Sequence, residues 1–586
     1  MSLQEGSGAS VLSALLCCFL LFAGCAGPSR EDKELTKLSK EFLEDYFKAH
    51  PVSATRIGEH RYDGQIDDMS PEAKVAEGER LNTYLARLKG IDHEKLSQDN
   101  RIDAEILRSR MEGKLLSLRE LRGWERNPLV YTQLLGNSIY LLIARDFAPF
   151  DKRLDSVIKR LKLFPRMVDQ AMANLKNPPK IHTETAINQN RGTVALLEGD
   201  LRREAEKIPR KGKDLEKALE PALEALQRFQ EFLEKDLFFR SKGDFRLGDR
   251  LYRKKLKLTL MSPMSSEEIV DRARIEMEKL HGEMYELAAP IYAEMFPGEP
   301  VKVESKEDRK HVIKTVLDEI SRDHPDPADL LDACRNANDE AAAFVREKGI
   351  ITLPKEPLEI IWAPEFSRGV AVAGLRSPGP LDREMKAFYV VSPVPDEWTP
   401  DQVDSYLREY NNEMIRILTI HEAMPGHYVQ LAYSNRFPSL VRAVFSSGTF
   451  VEGWAMYSER MMLEEGFRGG DPKLWLQRKK FYLRAVINAL LDPGIHRGGM
   501  TEYEAMKLMI EEGFQEESEA SGKWRRACLT SSQLSTYFVG YKEVTALRED
   551  AEKQWGKKFK LGEFHEKLLS YGSPPTRFVR EILLED

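Results

Sequence analysis

His421-Glu422-Ala423-Met424-Pro425-Gly426-His427 closes a helical run, and Glu452-Gly453-Trp454-Ala455 follows on the next one. Upstream, Tyr410, Met414, Ile417 and Leu418 recur at helical spacing among Arg408, Glu409, Asn411 and Glu413, which predicts a helix over 406–420. In a His-Glu-x-x-His pair the imidazoles lie about four residues apart and share one helix face. Here they lie six apart, and a regular helix would carry the second roughly 240° around. Pro425 removes a helical N–H, and Gly426 admits backbone angles closed to other residues. The helix is therefore expected to break at this pair and swing His427 back toward His421. A second helix is predicted to start over 428–433. A third is predicted over 447–465, with Glu452, Met456 and Glu459 along one face.

Two imidazoles and a carboxylate are the ligand set of an open zinc site, in which one coordination position stays free for water. His421, His427 and Glu452 are the expected ligands. Glu452 stands 25 residues after His427, a normal distance for a ligand delivered by the next helix. Glu459, two turns further on, is either a rival ligand or a partner behind the first. Glu422, directly after His421, stands where a zinc peptidase carries its general base. The competing reading is a solvated helix face. A second histidine within seven residues and a glutamate on the next helix weigh against it.

His-Glu-x-x-Pro-Gly-His followed by Glu-Gly-Trp-Ala-x-Tyr-x-Glu resembles the bacterial DUF885 family, whose members look like gluzincin-type zinc metallopeptidases. Three further segments fit the resemblance: Arg56-Ile57-Gly58-Glu59-His60-Arg61-Tyr62-Asp63-Gly64, Leu491-Asp492-Pro493-Gly494-Ile495-His496, and Ser532-Gln533-Leu534-Ser535-Thr536-Tyr537-Phe538-Val539-Gly540-Tyr541. It implies His421, His427 and Glu452 as zinc ligands, Glu422 as base and a peptide as substrate. The last segment departs from the family where Ser532 precedes Gln533 and Phe538 follows Tyr537.

The N-terminus reads as an export signal. Residues 11–23 form an apolar stretch too short to span a bilayer but suited to a signal-peptide core. Leu21-Phe22-Ala23-Gly24-Cys25 resembles a lipobox, so residues 1–24 are expected to be removed. Cys25 then anchors residues 25–586 to a membrane as an exported bacterial lipoprotein. The first ten residues carry no Lys or Arg, and Phe22 replaces the commoner leucine. Beyond Cys25 only Cys334 and Cys528 remain, expected as buried apolar side chains rather than a disulfide framework. A net charge of −7 gives no basic footprint for nucleic acid.

Helical periodicity over 31–49, 71–88, 98–121, 152–175, 215–237, 266–293, 308–320 and 328–348 predicts a mainly α protein. Strand-like runs at 358–362, 370–373 and 387–391 predict a small β-sheet beside the zinc helix. That sheet either pairs with an extended substrate or buttresses the fold. The mature chain divides into an N-terminal helical part over about 31–350 and a metal-site part over about 351–586.

A zinc hydrolase also needs a donor for the developing oxyanion. His496 and Tyr537 are the candidates, against the alternative that each is a satisfied core residue. Tyr541 shares the face of Tyr537 on a helix. Asp492-Pro493-Gly494 is expected to end a helix and leave His496 on a loop. Two other functions compete with the metallopeptidase: a non-catalytic metal-binding surface lipoprotein, and a zinc amidohydrolase acting on a non-peptide amide.

Overall fold

Capped helices make up most of the chain in the computed structural model, which describes residues 27–298, 303–363, 373–382 and 385–584. The export segment and Cys25 lie outside the described residues. Ser29, Ser305 and Thr399 each open a helix with a reciprocal capping box, satisfying N–H groups that the first turn leaves without partners. The helices expected over 31–49, 71–88, 266–293 and 328–348 run Arg30–Ala49, Pro71–Lys89, Ser266–Met295 and Leu330–Lys348. Among the described residues no helix is long and apolar enough to cross a membrane.

Two expected helices are in fact pairs. The run over 152–175 divides into Phe150–Leu161 and Phe164–Asn174. Pro165 sits in the first turn of the second, the one helical position where its missing N–H costs nothing. The run over 406–420 divides into Pro400–Glu409 and Asn412–Glu422, because the Asn411 side chain accepts from Met414 N at 3.1 Å and restarts the helix.

Three apolar cores hold the helices together. The largest takes in buried residues from Tyr252 to Leu583, a second those from Val52 to Leu237, and a third joins Leu35–Met111 to Val441, Phe445, Phe578 and Ile582. The third core joins the first helices to residues of the C-terminal part. Helices between 249 and 348 pack with the metal-bearing part.

The sheet consists of β1 (Leu358–Trp362), β2 (Ala373–Arg376) and β3 (Ala387–Val391), in the order β1-β3-β2. β1 runs parallel to β3 from Leu358↔Ala387, and β2 antiparallel to it from Ala373↔Val391. β2 begins where the run 370–373 was expected to end, and residues 370–372 are outside the described set. Among the described residues β2 is an edge strand.

Two N-terminal groups fix that edge. Arg145 donates to Arg376 O at 2.9 Å, Ser377 O at 2.8 Å and Lys386 O at 3.0 Å. His60 bridges Asp63 at 2.9 Å and Asp382 at 3.1 Å, with its ring stacked on Phe147 at 3.6 Å. Burial opposes a charge on His60, but the two carboxylates outweigh it and raise the imidazole to about 9. Leu381 N–H completes the docking on Ile57 O at 3.0 Å. The segment 56–64 therefore clamps the loop between β2 and β3.

Candidate metal centre

Five helices build the site: α1 (Asn412–Glu422), α2 (His427–Ser434), α3 (Gly448–Glu464), α4 (Pro472–His496) and α5 (Ser535–Trp555). The break between α1 and α2 falls at the Pro-Gly pair. Carbonyls at the end of α1 find partners within the turn. Thr419 O accepts from Ala423 N at 2.8 Å and Met424 N at 3.2 Å, and Ile420 O accepts from Gly426 N at 2.9 Å. Gly426 is required by closeness: a Cβ there would lie 1.9 Å from His421 O. Trp454 of α3 pins the turn by donating Nε1–H to Pro425 O at 2.9 Å. α3 in turn lies directly on α5, where Gly453 meets Gly540. A Cβ on Gly453 would stand 2.5 Å from the Gly540 carbonyl.

This packing brings His421, His427 and Glu452 together, with one ligand atom from each lying within 4.8 Å of the others. Glu452 Oε2 is 3.5 Å from His421 Nε2 and 3.4 Å from His427 Nε2. Atoms bound tetrahedrally to zinc at about 2.0–2.1 Å stand about 3.3–3.4 Å apart, so the spacing fits a shared ion. Glu452 Oε2 has no hydrogen-bond partner among the described residues although it is buried, as expected of an atom reserved for a cation. Burial disfavours the Glu452 carboxylate, yet His421 and His427 hold it well below the usual range.

Glu459 resolves its two readings by position. Its Oε1 meets His421 Nδ1 at 2.7 Å, on the side of the ring away from Glu452. That position fits the reading of a partner behind His421 rather than a rival ligand, with Nε2 left facing Glu452. Burial raises the Glu459 carboxyl above its ordinary value despite that contact. Arg478, with Nε 3.9 Å from Glu459 Oε2, lies over the rings of Tyr482 and Tyr541. Against burial, contacts with Glu452 and Glu459 hold the His421 imidazole well above its usual range. The carboxylates of Glu422, Glu452 and Glu459 leave the pocket rich in negative charge, a donor set that suits a divalent cation.

Glu422 is buried at the end of α1, and its Oε2 accepts from Leu375 N at 2.9 Å. The N–H of Leu375 projects from the β2 edge away from β3, so the sheet aims its open side at this carboxylate.

A family model described as "Bacterial protein of unknown function (DUF885)" matches residues 51–583. The chain belongs to the DUF885 family. Among solved structures, a protein from Shewanella oneidensis described as a putative lipoprotein of unknown function is 33% identical. That match covers 94% of this chain and 99% of the other, with a TM-score of 0.78. A putative lipoprotein from Colwellia psychrerythraea is 19% identical over 95% of this chain and 99% of its own, with a TM-score of 0.77, and shares the fold. No curated protein matches the chain.

In this DUF885 chain the remaining site candidates part company. α4 does not stop at Asp492-Pro493-Gly494; it runs through Pro493 to His496. His496 is therefore not on a loop. It is buried, packed against Tyr252 and Phe245, and its Nε2 is shared by Ala527 O at 3.1 Å and Thr530 O at 2.7 Å. None of these contacts belongs to the metal cluster, and burial lowers its pKa. Asp492, one turn earlier, accepts from Ser532 N and from Ser535 N and Oγ, which shapes the start of α5.

Tyr537 is half-buried, and its hydroxyl accepts from Arg526 at 2.7 Å and Gln533 at 3.3 Å. Its own proton has no acceptor among the described residues. Gln533, which donates to Tyr537, lines the same cavity as Glu452. Tyr541 instead packs on Arg478 and receives Arg460 at 3.4 Å, behind the site. Burial pushes the Cys334 and Cys528 thiols up to about 12, away from nucleophile chemistry. Arg526 and Arg478 escape sequence reasoning because neither stands in a metal-like spacing.

Proposed function

We propose that this DUF885 protein is a zinc-dependent hydrolase that cleaves peptide bonds, with His421, His427 and Glu452 as zinc ligands and Glu422 as general base. The observation that carries it is Glu422: a buried carboxylate beside a three-ligand cluster, steered by a main-chain N–H on a sheet edge. A binding protein has no use for a base so held. Zinc bound there supplies Lewis acidity toward a water and a carbonyl.

The chain's own groups do the rest. Leu375 N–H holds Glu422 Oε2, which leaves the other carboxylate oxygen free to take a proton from the attacking water and return it to the departing amine. Glu459 keeps the His421 proton on Nδ1. The β2 edge offers main-chain groups to an extended peptide, which favours a peptide over other amides. Tyr537, with its hydroxyl oxygen fixed by Arg526 and Gln533, donates to the developing oxyanion.

Metal analysis and a peptide digest test this reading. Wild type is expected to carry one zinc per chain, and Glu422→Gln to keep that zinc while losing about 10²–10⁴-fold in turnover. Wild-type turnover in the zinc-loaded variant removes Glu422 from the chemistry.

We also propose that Cys25 is lipidated and anchors the exported protein. Two structural neighbours described as putative lipoproteins support it. Cys25→Ser should free the protein from washed membranes. A wild type that is already soluble and unprocessed contradicts the anchor.

A further inference from the structure

A cavity of about 830 Å³ opens beside Glu452 and runs between the metal-bearing helices and the N-terminal ones. Gln533, just before α5, and Thr536 on it line the cavity together with Glu452, and Phe445 and Tyr46 line it as well. Its size suits a small peptide rather than solvent alone, since ligand pockets run to about 300–1,000 Å³.

The charges on its wall do not balance. Its carboxylates other than Glu452 are already committed. Asp45 accepts from the Tyr84 hydroxyl at 2.7 Å, and Glu77 is held by His50 at 2.9 Å and Lys114 at 3.1 Å. Apart from Lys114, its lysines and arginines are not. Arg110, on the helix Gln98–Leu116, donates to the Ser446 carbonyl and lies near the Phe445 ring, with no carboxylate partner among the described residues. The residue is nevertheless exposed and lines the cavity. Lys255, on the helix Asp249–Leu260, reaches only the Ser531 hydroxyl at 2.6 Å. The acid nearest to it in effect, Asp492, is taken up by Ser532 and Ser535. Arg56 and Arg80 line the same space, also without a carboxylate partner among the described residues.

Placing cations inside a protein without counterions is costly, because burial disfavours the charged form. Arg110 and Lys255 both show that cost, each held below its ordinary pKa by its surroundings. Among the described residues neither forms an ion pair: each is tied to a distant segment through a neutral oxygen alone. A carboxylate entering the cavity would supply the counterion that each lacks.

We propose that this cavity binds a carboxylate of the substrate through Arg110 and Lys255, so that the peptides cleaved at the neighbouring cluster carry a negative charge on the side that fills it. The inference rests on the peptidase reading above. The carboxylate comes either from a free C-terminus or from an acidic side chain, and the test separates the two.

Calorimetric titration of the zinc-loaded Glu422→Gln protein measures this without turnover. The probes are short N-acetylated alanine peptides: one with a free C-terminus, one amidated, and one amidated but carrying a single glutamate. At least one charged peptide should bind about tenfold or more tightly than the neutral one, the scale of one charge-assisted hydrogen bond. Arg110→Met and Lys255→Met should each erase that preference while leaving zinc content and neutral-peptide affinity unchanged. If Arg110→Met does not fold, Lys255→Met carries the test, along with loss of the preference in added salt. Preference for the free acid identifies a C-terminal carboxylate, and preference for the glutamate peptide a side chain. Equal affinities for all three, or a preference that survives both substitutions, overturns the proposal. A parallel digest keeps the two readings apart. Cleavage by wild type without charge preference sinks this inference alone, whereas charge-selective binding without any cleavage sinks the peptidase and leaves the anion site.

Discussion

Replacing Glu459 with glutamine isolates the one buried group whose role is to hold a ligand rather than to be one. The carboxylate is fully buried on α3 and meets His421 Nδ1 at 2.7 Å, with Arg478 its other charged neighbour at 3.9 Å. Glutamine keeps the size and an acceptor oxygen but loses the charge that strengthens the bond and fixes the tautomer. Loss of such an outer partner weakens metal binding about 10–100-fold, or about 1.4–2.7 kcal/mol. Full burial argues for the upper part of that range, because no water can take over the contact. Competition against a chromophoric chelator measures the zinc affinity directly. Thermal melts with and without zinc provide the control: the stabilisation added by zinc should shrink by about 1.4 kcal/mol per tenfold loss of affinity. A scaffold residue behaves differently, lowering both melts in parallel and leaving the affinity alone. Zinc affinity within twofold of wild type, with parallel melts, would refute the positioning role.

Two further outcomes can be checked. His60, bridged by Asp63 and Asp382, has its pKa raised from 6.5 to about 9. The stability it adds is complete below pH 6.5 and is lost as pH rises toward about 9. A rise of that size corresponds to about 3 kcal/mol, or roughly 2 once solvent screening of a partly exposed ring is allowed for. The gap in urea midpoint between wild type and His60→Gln should therefore narrow between pH 6.5 and 9.5, and a constant gap denies the charged clamp. Tyr537→Phe should lower kcat with KM and zinc content little changed, by up to about 2.7–4 kcal/mol for a single lost oxyanion donor. An effect confined to the melt assigns Tyr537 to the packing of α5.

The residues of the proposed metal site are legible in the chain because their chemistry is local. His421, Glu422 and His427 lie within one turn and its break, and Pro425-Gly426 announces the break through backbone rules that hold in any context. β1 and β3 are legible for the same reason, as short β-branched and aromatic runs between turn residues. Asn411 carried a visible cap signal, but the apolar periodicity on either side of it reads straight through as one helix. Other features depend on how helices lie against one another. Glu452 and Glu459 share a face of α3, and the packing of α3 against its neighbours, not the sequence spacing, sets which of them reaches the Nε2 side of His421 and which the Nδ1 side. Pro493 promises a helix end, yet α4 continues past it for one turn, where buried packing and the Ala527 and Thr530 carbonyls hold His496. Glu422 gains its N–H partner from a strand edge 47 residues away, and Arg110 and Lys255 meet in one cavity from separate helices. Periodicity fixes which residues share a face, whereas the neighbour that face meets is set by close packing between distant segments, and that is where ligand, base and substrate charge are brought together.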